Sequence, residues 1–398
     1  MTREQRNLVV LVGAQALLFI NNATILAVNG VTGRQLALDN GYGAELATLP
    51  VTAWVLGGAL AAYPAAMLMR KVGRRVGFSL GAAGGLLGAL LAMIAMQVQG
   101  FVLLTLASLL VGAYNAFGLQ YRFAAADAVP DAAKARAMGY VMSAGLLGGF
   151  IGPEVSRLSK DVLIIPYAGI YLTLAGFTVL ALGVLQGLRM ARHAPVAASA
   201  LPRSLRAIVR QPLFIATVFI AAISHGIMSL VMTATTLTMT SVCGFSYGIA
   251  ARTLGTHLVA MFGPSFFTGI LIQRFGELRL MLVGCALFAV AMLIAINGVD
   301  LGHFWLALAL LGLGWNLLYL PASSLLTRTY RNGEGPQAQG FNEAMVFAAM
   351  VLASFFSGYL LRHLGWAWIN RLALMGTGLV VCVVTGLLLV RTRTRVSA

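Results

Sequence analysis

Long apolar runs, separated by short polar or basic stretches, recur from one end of the sequence to the other. They lack the strict two-residue alternation of half-buried strands. Runs of about 18 residues or more that are greasy on every side are long enough to cross a bilayer as helices. A helix also satisfies its own backbone polar groups, which lipid cannot do for it. The pattern predicts twelve spans, over residues 7–31, 45–69, 76–97, 100–122, 137–158, 163–189, 212–236, 246–272, 280–297, 302–328, 338–361 and 367–390. The expected fold class is an all-α membrane protein of twelve transmembrane helices.

Residues 190–211 break the pattern. They are polar, basic and proline-containing, and they divide the chain into an N-terminal six-helix bundle (1–189), a linker (190–211) and a C-terminal six-helix bundle (212–398). The halves echo each other. "LMRKVGRR" after the second span parallels "LIQRFGELR" after the eighth, and "YNAFGLQYR" in the fourth parallels "WNLLYLPAS" in the tenth. Both echoes recur after about half the chain. Two related six-helix halves, with a path between them near the midplane, is a transporter architecture.

Composition agrees with this reading. The chain is 60% hydrophobic and 10% charged, where soluble domains carry about 25% charged residues. The net charge of +16 does not point to nucleic acid, because the cations fall in short clusters between spans. These are Arg70, Lys71, Arg74 and Arg75, then Arg189, Arg192, Arg203, Arg206 and Arg210, then Arg391, Arg393 and Arg395. With twelve spans, most Lys and Arg lie on the side of the termini. The positive-inside bias then makes that side, with both termini and the linker, cytoplasmic in a bacterial inner membrane. "MTREQRNL" leads straight into a long apolar run without a small-residue cleavage site, so that run reads as the first span. Three cysteines form no disulfide framework. No Walker motif is present, so ATP does not drive the protein directly. Nothing here reads as an enzyme.

The chemistry is concentrated in "HGIMSLVM" and "HLVAM". Residues four apart share a helix face, so Met228 and Met232 present two thioethers to one side of the seventh span, with His225 a turn earlier. His257 and Met261 repeat the spacing in the eighth. Consecutive spans joined by a short loop let the two pairs face each other, and Cys243 lies in that loop. Thioether and imidazole together favour copper. The competing reading is packing, since Met fills apolar cores without any metal, and the chain has 17 of them, Met138 and Met142 among them. Ionisable groups inside a membrane are expensive and functional by default. Glu343, in "FNEAMVF", is therefore a candidate for proton coupling, or else a carboxyl bonded to a neighbouring helix. Glu45 and Glu154 lie nearer span ends, and Arg122 and Asp127 border the inner end of the fourth span. Asn21 and Asn22 either line a path or join helices. Trp54 and Trp315 read as packing residues.

Twelve spans, the central linker and "RKVGRR" resemble the major facilitator superfamily, with Ala66 and Arg70 standing where its loop motif has a glycine and an acid. "GFIGPE" (Gly149 to Glu154) resembles that superfamily's fifth-helix antiporter pattern. M-x-x-x-M in the seventh span and H-x-x-x-M in the eighth look like the CcoA-type copper importers, as do "QYRFAAAD" and "GWNLLYLPASSLLT". The resemblance implies a monomeric secondary importer of copper, supplying the metal for assembly of cbb-type oxidases. Met228, Met232, His257 and Met261 would be the functional residues, and Cys243 a further ligand. Copper would be the cargo rather than a resident cofactor, and a cytoplasmic copper chaperone would receive it. Relatives lacking the Met and His motifs move riboflavin, so a transporter of riboflavin or another small organic solute is the alternative. A membrane scaffold or copper sensor is a third class. Twelve spans with little mass outside them argue against it.

Overall fold

The computed structural model describes residues 2–43, 46, 48–190, 203–331 and 333–396. Most of the predicted linker, residues 191–202, and Glu45 lie outside the described residues. Among the described residues sixteen α-helices run in chain order: α1 Arg3–Asp39, α2 Leu49–Val72, α3 Arg74–Gln97, α4 Phe101–Gly118, α5 Tyr121–Asp127, α6 Lys134–Ser143, α7 Gly145–Ser159, α8 Ala168–Gln186, α9 Leu205–Val209, α10 Pro212–Leu237, α11 Tyr247–Phe262, α12 Ser265–Phe275, α13 Glu277–Asn297, α14 Leu301–Leu326, α15 Gly335–Leu364 and α16 Trp366–Val396. No strand occurs among the described residues.

The ends follow local chemistry. Thr2 and Gln5 close a capping box at the start of α1. Pro50 and Pro212 sit in the first turns of α2 and α10, where no intrahelical donor is needed. Gly73 (φ +87°) and Gly276 (φ +82°) turn α2 into α3 and α12 into α13, at a backbone angle that a side chain resists.

Among the described residues eleven helical segments are long and apolar enough to cross a membrane, counting α11 and α12 together across the turn at Gly263 and Pro264. The twelfth predicted span, the fifth in order, is divided at Ala144 into α6 and α7, so neither piece reaches that length. The sixth span begins at Ala168 rather than at 163. Pro166 explains the late start: it lacks a donor and drives Ile165 out of the helical region. The fourth span reaches Asp127 through a tightened turn in which the Gln120 N–H donates to the Phe117 carbonyl.

The chain forms two compact units. Unit 1 comprises residues 1–130, 144–200 and the six residues Gln339–Ala344 of α15; unit 2 comprises residues 131–143, 201–338 and 345–398. In unit 1, α2 and α4 cross almost backbone to backbone. A Cβ on Gly112 would lie 1.9 Å from the Trp54 carbonyl oxygen, and one on Gly57 2.0 Å from that of Leu109. Such crossings are how helices gain packing where lipid supplies no hydrophobic drive. Polar pairs join α1 to α8 and α4: Asn21 to Thr178, Asn22 to Asn115, and Asn29 to Ser108. The Tyr171 hydroxyl donates to Asn29. In unit 2, α6 crosses α12 at Gly139 and Gly269, and α13 crosses α14 at Gly284 and Gly314.

Candidate functional site

The site in unit 2 is organised by one face of α14. Leu308, Gly312, Trp315 and Tyr319 follow one another at steps of four, three and four, which is one helical stripe. Both α10 and α11 pack against α14, and only sparsely against each other. Gly312 makes the approach of α11 possible, since a Cβ there would lie 2.5 Å from the His257 carbonyl oxygen. Asn316 fixes the register. Its amide donates to the Met261 carbonyl (2.8 Å) and to Ser265 Oγ (2.6 Å), and its Oδ1 accepts from Thr268 (2.6 Å).

Four rings gather on that stripe. Trp315 and Tyr319 stack, with centroids 4.6 Å apart and planes 23° from parallel. His225, from α10, stands edge-on to both, at 5.4 Å and 5.3 Å. Phe262, from α11, stands edge-on to Trp315 at 6.0 Å. The Trp315 indole N–H donates to His225 Nδ1 at 3.3 Å, so the imidazole is oriented by the indole. These are the stacked and edge-to-face arrangements that aromatic quadrupoles favour. Trp315 was expected only to pack, and Tyr319 and Phe262 carried no expectation. The i, i+4 spacing of Trp315 and Tyr319 was the available signal.

The predicted soft ligands are distributed differently. Met228 and Met261 are buried and Met232 half-buried. His257 is turned towards α14 rather than α10, with Nδ1 2.8 Å from the Leu308 carbonyl oxygen. A carbonyl can only accept, so Nδ1–H donates and Nε2 is left as the acceptor. That atom is buried and has no hydrogen-bond partner among the described residues. Cys243 follows a wide π-type turn, Thr238–Val242, and packs beside Met239, Ala250 and Phe304. No three His, Cys, Asp or Glu side chains come together to hold a metal ion among the described residues.

Glu343 belongs with unit 1 and is ion-paired. Arg122 Nη2 lies 2.6 Å from its Oε1, and Asn342 donates to the same oxygen at 2.8 Å. The Arg122 guanidinium also donates to the Leu119 carbonyl and lies over the Phe123 ring. Nearby in sequence, Arg74 pairs with Asp127 at 2.5 Å and donates to Gln339 at 2.7 Å. Ala66 is packed beneath Gly340, where a Cβ would come within 2.6 Å. Glu154 makes an exposed pair with Arg157.

Ahead of α15, Glu334 accepts from the Arg203 guanidinium and from the backbone N–H of Arg203 and Arg331. The Arg203 hydrogen bonds, ahead of every other influence, hold its carboxyl down at about 2. Arg203 is correspondingly raised, by its hydrogen bonds to Glu334.

Residues 218–398 match the profile of the Major Facilitator Superfamily. The chain is 38% identical over 376 residues to the riboflavin transporter RfnT of Brucella anthropi, covering 93% of each protein. Among solved structures it resembles the human organic anion transporter MFSD10 (TM-score 0.78, 14% identity, 96% of this chain and 100% of that one). It also resembles the E. coli fucose:proton symporter FucP (TM-score 0.72, 16% identity, 95% and 96%). These two likenesses establish the fold alone. The relative from Brucella anthropi overturns the expectation of copper import: a likeness running through nearly the whole chain is to a protein named for riboflavin. Sulfurs spaced four apart are also what a greasy core uses as filler.

Proposed function

This chain belongs to the Major Facilitator Superfamily, and from that premise we propose that it is a secondary transporter carrying riboflavin across the bacterial inner membrane. The near full-length likeness to a riboflavin transporter carries the reading. The ring cluster of unit 2 supports it. Riboflavin presents a flat, three-ring isoalloxazine, and Trp315, Tyr319, Phe262 and His225 offer aromatic faces and edges from three helices. An aromatic contact of this type contributes about 0.5–1.5 kcal/mol beyond the area it buries. Buried except for the half-buried His225, the cluster would exchange its internal ring contacts for contacts with the solute.

In this reading transport is inward, and the basic clusters beside the spans support both termini in the cytoplasm. Glu343 is the proposed coupling group: protonating its carboxyl would release Arg122, a change worth transmitting only because both are buried. The test is uptake of radiolabelled riboflavin into proteoliposomes holding the purified protein, with empty vesicles alongside. Saturable uptake that Trp315→Leu strongly reduces is expected. Vesicles that accumulate no riboflavin above the empty control would sink the proposal.

A further inference from the structure

His257 is unexplained by the aromatic cluster, and it is in an unusual state. The residue is 0% exposed, yet Nε2 has no hydrogen-bond partner among the described residues. Buried polar atoms are nearly always paired, and one left unpaired calls for an explanation. Its chemistry is narrow. The bond from Nδ1–H to the Leu308 carbonyl fixes the ring's orientation and its hydrogen. Nε2 can therefore only accept, and what it lacks is an N–H or O–H donor. A metal ion would also take that lone pair, but no set of three His, Cys, Asp or Glu side chains gathers to complete such a site among the described residues.

Its placement says which donor. The His257 backbone lies against Gly312, and its ring against Leu308. Both belong to the α14 stripe that continues into Trp315 and Tyr319, and Phe262, five residues further along α11, touches Trp315. The Leu308 carbonyl takes Nδ1, so Nε2 opens on the other side of the ring, and a donor offered there by a solute held on the Trp315 and Tyr319 rings is carried at the edge of something flat. The isoalloxazine ring system has a single ring N–H, the imide at N3, flanked by two carbonyls that make it a good donor. A ribityl hydroxyl is a donor too, but the aliphatic chain bearing it has no use for a stacking face.

Resting on the riboflavin reading, we propose that His257 Nε2 accepts the imide N–H of the transported flavin and is a specificity-determining residue. A site built around a hydrogen bond rejects an analogue that lacks the donor, because its own polar atom is then left buried and unpaired.

The test compares initial uptake of riboflavin and of 3-methylriboflavin, which has no imide N–H, by the full chain in proteoliposomes. The wild-type protein is expected to prefer riboflavin by on the order of tenfold or more. His257→Leu should bring the two rates close to equality. His257→Gln, which retains an accepting oxygen, should keep part of the preference, and it carries the comparison if the Leu variant does not insert. The ratio of two solutes in the same vesicles does not depend on how much protein has folded. Equal transport of both flavins by the wild type overturns the assignment, as does an undiminished ratio in His257→Leu. Failure of the wild type to take up riboflavin at all overturns the flavin reading itself, and the assignment with it.

Discussion

The two units repeat one framework and fill it with different chemistry. In unit 1 the α2–α3 turn at Gly73 is followed by Arg74, which pairs with Asp127 after α5 begins. In unit 2 the α12–α13 turn at Gly276 is followed by Glu277, which pairs with Arg328 just beyond α14. The strap is the same and the charges are exchanged. In unit 1 the α2–α4 crossing sets the Trp54 carbonyl on Gly112; in unit 2 the α11–α14 crossing sets the His257 carbonyl on Gly312. Each of those two residues also has a buried ring nitrogen without a partner among the described residues, a donor on Trp54 and an acceptor on His257. Beside the crossings, Asn22 bonds Asn115 in unit 1, whereas Asn316, its echo in unit 2, bonds Ser265, Thr268 and the Met261 carbonyl. Positions that hold helices together are kept as geometry. The aromatic–amide pair is kept as well, Tyr114 with Asn115 and Trp315 with Asn316, while the partners those side chains meet differ.

The largest effect is expected where unit 1 has something unit 2 lacks. Arg122 occupies the place in its echo that Ser323 occupies in the other. Its pair with Glu343 is almost entirely buried, at 3% and 0% side-chain exposure. Removing one partner of a buried ion pair leaves an uncompensated charge and costs about 3–5 kcal/mol, whereas replacing both with apolar groups is often tolerated. Thermal unfolding in detergent should show Glu343→Gln well below the wild type, and Arg122→Met with Glu343→Met together above that single variant. A single variant as stable as the wild type would remove the pair from the framework of unit 1.

The glycine crossings come next. A methyl on Gly112 would meet backbone oxygen at 1.9 Å, and one on Gly312 at 2.5 Å. Backbone cannot swing aside as a side chain can. Overpacking costs typically about 1–3 kcal/mol, so Gly112→Ala should lower the unfolding temperature more than Gly312→Ala. The reverse order would mean that the two crossings are not equivalent joints.

The exchanged strap can be tested by exchanging it again. Arg74→Glu alone sets two carboxylates side by side. Adding Asp127→Arg recreates in unit 1 the order found in unit 2. A double-mutant cycle should give a favourable coupling of about 1 kcal/mol or more. Zero coupling would show that Arg74 is held by Gln120 and Gln339 rather than by charge.

How much of this was legible in the sequence depends on how local each cause is. The spans were legible because about 18 apolar residues in succession have one physical solution in lipid. The delayed start at Ala168 is written in Pro166. The break at Ala144 has no such mark. The glycine turns at 73 and 276 lay in plain view inside the echoing segments. Trp315 and Tyr319 had the right spacing to stack, but His225 and Phe262 reach them from other helices, which no spacing announces. His257 was recognisable as chemistry, though not the rotation that gives its Nδ1–H to Leu308 and leaves Nε2 unpaired. Copper was the wrong cargo to read from Met228 and Met232, for a physical reason. A flexible thioether serves a soft cation and an irregular core equally well, so periodicity alone could not choose between cargo and filler.

The smallest effect expected is a pH dependence confined to unit 2, where Glu334 receives three backbone and guanidinium partners and Asp131, near the start of the same unit, is exposed and paired with Lys134. The Glu334 carboxyl is at about 2 when folded against an ordinary value of 4.5, chiefly through Arg203. A depressed carboxyl binds its proton more readily in the unfolded chain. Its contribution to stability is therefore fully present above about pH 4.5 and is lost as the pH falls towards 2. Arg203, already part-exposed, blunts the effect by sharing its charge with solvent. Unfolding temperatures measured at stepwise lower pH should fall faster for the wild type than for Glu334→Gln, and the two curves should approach each other at the acid end. Asp131→Asn should change neither slope. Parallel curves for the wild type and Glu334→Gln would mean that Arg203 holds the loop before α15 by its backbone and Thr329 contacts alone.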